Sequence, residues 1–191
     1  MNKTMHSKNS LLNRAFLLVL FIAGLLSACH SVKPDGGKHR ASDYEDFFLG
    51  ADKNQYFIQP LTYTSENAEM QIDFTFRDYS FKDSATVANF TITSSERIIN
   101  VDSLIFDNGT ELIFAKNLKK LYFEKDKKLN EIRTTSEIDG MELAEILKAD
   151  NSIIYVYANN KRIQFIPSKK SNKVRMRVYS HLLKDQLLIE E

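Results

Sequence analysis

Histidine, cysteine and paired carboxylates are the side chains that most often carry catalysis or hold a metal, and this chain uses them sparingly. Its four histidines are His6, His30, His39 and His181, and only His181 falls in the part of the sequence that reads as folded. A Ser-His-Asp relay needs an ordered histidine beside a nucleophile. His181 is the sole candidate base, and no serine stands in the Gly-x-Ser-x-Gly turn that would expose a nucleophile. Zinc takes about three or four Cys, His, Asp or Glu ligands, usually with Cys or His among them. One histidine and no thiol in the folded part fit neither a structural nor a catalytic site. Asp43, Glu45 and Asp46 cluster, as do Asp78 and Asp83, but without the alternate-residue spacing of a calcium loop. A carboxylate pair could serve glycoside hydrolysis, yet no pattern selects one. The absence of tryptophan removes the usual sugar-stacking platform. No glycine-rich phosphate loop of the GxGxxG or Walker kind occurs. The expectation is therefore no catalytic, cofactor or metal residue, with a hydrolase using carboxylates or His181 as the alternative.

The single cysteine, Cys29, takes its meaning from its place. Lys3, Lys8 and Arg14 give a basic start without acids, followed by the twelve-residue apolar run Ala15 to Leu26. A spanning helix needs about 20 apolar residues, so this run fits a signal peptide better. Leu26-Ser27-Ala28-Cys29 closes the run and resembles the lipobox of bacterial lipoproteins at all four positions. That resemblance covers residues 1–29 only. It implies cleavage before Cys29, diacylglycerol on its sulfur and acylation of the new amino terminus. Several acyl chains also meet the physical requirement, because one chain, at about 0.8 kcal/mol per buried CH₂, holds a membrane only marginally. His30, where enteric lipoproteins retained at the inner membrane carry Asp, points to the outer membrane. The periplasmic and surface faces both stay open.

The charge balance excludes a dedicated nucleic-acid binder. The chain carries 26 bases and 25 acids, and with residues 1–29 set aside 23 bases face 25 acids. Locally the balance is uneven. Lys161, Arg162, Lys169, Lys170, Lys173, Arg175 and Arg177 occur with no acid between 161 and 177. This stretch is the candidate anion-binding surface, facing phospholipid headgroups, lipopolysaccharide phosphates or an acidic envelope protein. The competing explanation is a solvated hairpin whose charges protect an edge strand.

The elements that would position these residues are mostly strands. His30 to Ser42 contains Pro34, Gly36 and Gly37 and one aliphatic side chain, and reads as a flexible tether. Residues 43–49 suggest a helical or irregular lead-in. Met70, Ile72, Phe74 and Phe76 alternate with polar residues over nine positions, as do Ala88, Phe90 and Ile92, which predicts two half-buried strands. Asn108-Gly109 between apolar runs predicts a hairpin joining 104–106 to 112–114; Asn159-Asn160 predicts another joining 153–157 to 163–165. Leu118 to Glu124 and Leu129 to Thr135 read as strands around a charged turn. Asp139 three residues before Glu142 predicts a helix carrying Leu143, Ile146 and Leu147 on one face. Val174, Met176 and Val178 alternate with Arg175, Arg177 and Tyr179, predicting a last strand with Arg175 and Arg177 on one face. Leu182, Leu183, Leu187 and Leu188 would fit a closing helix.

The class expected is α+β: a mostly antiparallel sheet of about eight strands, a partial barrel or a sandwich, with one or two helices. The organisation expected is a signal peptide over 1–28, lipidated Cys29 and tether over 29–42, and one strand-rich domain over 43–191. The function expected is a lipid-anchored, non-catalytic binding or interaction module of the envelope. An envelope hydrolase or an assembly accessory of an outer-membrane complex are the alternatives. The partners expected are a membrane through Cys29 and an envelope protein or anionic lipid, with no cofactor and no nucleic acid.

Overall fold

Alternation builds the centre of the molecule. The computed structural model describes residues 43–51, 53–77, 81, 85–126 and 128–184. Strand β3, Ala68–Arg77, turns Met70, Ile72, Phe74 and Phe76 inward and pairs antiparallel with β4, Ala85–Ser94, whose Ala88, Phe90 and Ile92 are buried with them. On its other side β3 pairs with β2, Lys53–Thr64, whose register shifts between Ile58 and Leu61. Pro60 sits in that irregularity, where its missing N–H is tolerated. Residues 43–49 are not helical. Tyr44–Gly50 forms strand β1 against the first half of β2, and the lead-in expectation is corrected. Three consecutive apolar residues, Phe47, Phe48 and Leu49, hide the period of two. The pairing is fixed instead by Tyr44 edge-on to Tyr56 and Phe47 edge-on to Phe57.

Among the described residues ten strands result, which roughly meets the eight or so expected. The remaining six are β5 Ser103–Asp107, β6 Leu112–Phe114, β7 Lys116–Asp126, β8 Leu129–Asp139, β9 Ile153–Ala158 and β10 Lys161–Pro167. Their spatial order is β6-β5-β9-β10-β2-β3-β4-β8-β7, with β1 on β2. The two ends of this path, β6 and β7, are consecutive in the chain and separated by Ala115 alone. The sheet thus curls into a nearly closed barrel, whose seam is bridged by a covalent connection rather than a ladder. Opposite walls meet inside: the rings of Phe74 on β3 and Phe106 on β5 lie 6.3 Å apart. The described residues all fall in one unit, Lys38–Glu191.

Both predicted hairpins form, with their turns the reverse of what the dipeptides suggest. Asn159 and Asn160 both adopt positive φ and make a two-residue turn, since Ala158 pairs directly with Lys161. The Asn-Gly loop is longer, because Asp107 pairs with Leu112. There only Gly109 has positive φ, while the Asn108 side chain accepts from the N–H groups of Thr110 and Glu111, both at 2.8 Å. An Asx turn has replaced the backbone turn.

Helix α1, Gly140–Lys148, begins where Asp139 predicts, with the Glu142 carboxylate accepting from the Asp139 N–H at 2.9 Å. The expected final strand is wrong. Lys169–Val178 is helix α2, followed by one π-helical turn, Tyr179–Leu183. Ser168 caps it, its Oγ accepting from the Ser171 N–H at 3.1 Å. The buried stripe is Ser171, Val174, Arg175, Val178 and Leu182, which is helical spacing. Met176, assigned to the core by alternation, is 40% exposed, and an arginine takes the inward position. In a helix Arg175 and Arg177 no longer share a face. Leu182 and Leu183 are buried as a closing helix requires, whereas Leu187 and Leu188 lie outside the described residues, as do Cys29 and the segments expected to form a signal peptide and a tether.

Candidate functional site

Strand β10, in the interior of the strand order, is paired along only part of one edge. All of Lys161–Phe165 pairs with β9, but the other edge meets β2 only at Ile166 and Pro167. The Ser168 N–H donates to the Thr62 carbonyl at 3.0 Å. By the alternation of a strand, the N–H groups of Ile166, Gln164 and Arg162 face the same side. Before Ile166 that side has no strand partner among the described residues. It opens instead on a groove of about 720 Å³ between β10, the turn joining β2 to β3, and the segment following β4. Thr64, Ser65, Asn67 and Ala68 form one wall, and Lys161 to Gln164 with exposed Ile166 form the other. Two contacts brace the walls: Lys161 Nζ reaches Glu96 at 3.1 Å, and Asn159 Nδ2 donates to the Arg97 carbonyl at 2.7 Å.

The polar side chains that line this groove are mostly engaged with one another. Its one buried serine is committed: Ser94 Oγ donates to the Asn67 carbonyl and accepts from the Glu96 N–H. Glu66 and Glu96 on its rim are both exposed, and Glu96 is held by Lys161. His181 lies elsewhere, exposed on the π-helical turn, with no side-chain hydrogen bond among the described residues. No group of three or more His, Cys, Asp or Glu suited to a metal ion occurs among the described residues.

The basic stretch does not form one surface. Lys161 is ion-paired with Glu96, and the Arg162 guanidinium sits 5.0 Å over the Tyr155 ring. Arg175 is removed from the patch altogether. It is fully buried and donates to the carbonyls of Ile146 and Leu147 at 2.6 and 3.2 Å, to that of Asp150 at 3.3 Å and to Asn172 Oδ1 at 3.1 Å. The carbonyls of Ile146 and Leu147 lie in the last turn of α1 and that of Asp150 just beyond it, so the guanidinium caps the negative end of that helix. Burial depresses its pKa, with Tyr63 and Asp150 working against that fall. Burial likewise pushes the Tyr63 phenol up, with the nearby Arg175 pulling it down. Arg177 grips Asp43 through two bonds, 2.6 and 2.8 Å, which raises the arginine further. Lys169, Lys170 and Lys173 stand exposed beside it.

The groove was missed from sequence because it depends on where β10 leaves β2, which no local pattern encodes. The burial of Arg175 had one available signal, the Ser168-x-x-Ser171 cap just after Pro167, which announces a helix. No protein-family model, curated protein or solved structure matches this chain.

Proposed function

We propose that this chain is a lipid-anchored protein of the bacterial envelope, on the outer membrane, whose globular part binds a partner and catalyses nothing. The anchor reading stands on the basic start, the apolar run and Leu26-Ser27-Ala28-Cys29. The binding reading is carried by one observation: Lys161–Phe165 keep a free strand edge along a braced groove. Such an edge recognises an extended polypeptide by continuing the ladder, with side-chain pockets setting preference. The hydrolase alternative is weaker, because its candidate groups are dispersed: His181 is on the π-helical turn, while the rim carboxylates are solvated. The accessory reading draws on exposed Phe47, Phe48 and Leu49 of β1 and is separated from the groove by the same test.

A photo-crosslinker at Ile163 in intact cells reads the groove, and one at Phe48 reads β1. Adducts from Ile163 are expected, and they should vanish in Gln164→Pro. That substitution deletes an N–H with no strand partner and so should leave the thermal midpoint within a few degrees. Cys29→Ser should move the protein from the membrane pellet to the soluble fraction and abolish the same adducts. Adducts from Phe48 alone would transfer the function to β1. Persistence of Ile163 adducts in Gln164→Pro would rule out strand addition.

A further inference from the structure

We propose that the exposed basic face of α2 seats the domain on an anionic phospholipid surface, with phosphate headgroups against Lys169, Lys170 and Lys173. The inference rests on the membrane reading above but on different residues from the groove. Lys169, Lys173 and Arg177 recur every four residues on one face of α2, and with Lys170 they line a shallow depression of about 290 Å³. Among the described residues none of the three lysines has an ion-pair partner.

The arrangement opposes the stability of its own helix. Two lysines occupy the first turn, which has no acid, although the dipole favours negative charge there. Lys169 and Lys173, and Lys173 and Arg177, are like-charge neighbours one turn apart. An anionic surface reverses each of these penalties. Met176, exposed beside the lysines, adds an apolar side chain at headgroup depth.

Chain connectivity supplies the second argument. Arg177 forks onto Asp43, the first described residue after the tether. The patch therefore stands at the root of the tether, within at most about 50 Å of chain from Cys29. Two membrane signals, acyl chains and a basic face, would then act at the same end of the domain, the combination that gives stable and oriented attachment. Lys161, Arg162 and Arg175 take no part, being held by Glu96, Tyr155 and the end of α1.

The test uses the full chain isolated from the cells that make it, placed on vesicles of phosphatidylcholine alone or mixed with phosphatidylglycerol. Lysine acetylation is then read by mass spectrometry. Each lysine near an anionic leaflet should be worth about fivefold in partitioning, so the three together approach about a hundredfold. Labelling of Lys169, Lys170 and Lys173 should fall about tenfold or more on the anionic vesicles only. It should recover at about 0.5 M salt, while Lys119 and Lys161 stay unchanged. Equal labelling of α2 on both vesicle types overturns the proposal. Chain lost from the zwitterionic vesicles but retained and shielded on the anionic ones supports it, while faulting the lipid anchor instead.

Discussion

Arg175→Ala will cost the domain about 2–4 kcal/mol, the balance of lost hydrogen bonds and packing against relief of a buried charge. The guanidinium is fully buried and satisfies three carbonyls where α1 ends and the chain turns towards β9. Truncation leaves the carbonyls of Ile146 and Leu147, whose bonds to the fork are buried, without that donor, at about 1–3 kcal/mol for each that stays unsatisfied. It also removes the aliphatic stem from the packing of α2. Against this stands the desolvation of the guanidinium, whose depressed pKa and unpartnered Nε show that the present arrangement is not fully favourable. For a chain of this length the loss should appear as a fall of roughly 5–15 °C in the thermal midpoint. Arg175→Met separates the causes, because it restores the stem but no donor. Arg175→Lys supplies one compact ammonium where a planar fork is needed, and should recover less than half. Urea denaturation of all three checks the order Arg, Lys, Met, Ala. A loss under about 1 kcal/mol for alanine would mean that water enters and replaces the fork.

The same residue marks the limit of what patterning revealed. The strands centred on Phe74 and Phe90 were legible because each is half-buried over many residues, and α1 because Asp139 and Glu142 have a local job to do. The stretch 174–178 offered the same surface signal as a strand, apolar at every second position. It became a helix because Pro167 ends β10, Ser168 caps, and the buried position is filled by an arginine that finds its acceptors on another helix. Alternation counts Arg175 as polar and therefore outward; only the partner helix makes it inward. Strand β1 failed for a related reason, since its pairing is decided by Tyr56 and Phe57 on β2 and not by its own period. The candidate site was the least legible part. The groove exists because β10 joins β2 only from Ile166 onward, and the basic run that looked continuous is shared between a hairpin, a helix face and the core.

Gly140→Ala sets two physical effects against each other and its sign decides between them. Gly140 opens α1, where alanine is the better helix former by about 1 kcal/mol at an interior position and somewhat less at the first turn. Propensity alone therefore predicts a gain. The structure predicts a loss, because a β-carbon on Gly140 would fall on the backbone carbonyl of Phe81. That carbonyl belongs to a residue buried in an aromatic contact, 4.9 Å between the rings of Phe76 and Phe81. It cannot give way as the end of a flexible side chain would, so either α1 or the segment carrying Phe81 must shift. Overpacking of this kind costs about 1–3 kcal/mol and sometimes more, which outweighs the propensity term. Gly109→Ala provides the control, since space around that glycine is open and only its φ of +85° is strained. It should lose about 1–2 kcal/mol for backbone conformation alone. A net loss of about 2 kcal/mol or more at Gly140, with an unchanged denaturant slope, fits close packing of α1 under Phe81. A gain at Gly140 would show that the contact is loose and that α1 can move against the sheet. Arg175 would then be fastening a mobile helix rather than completing a rigid one.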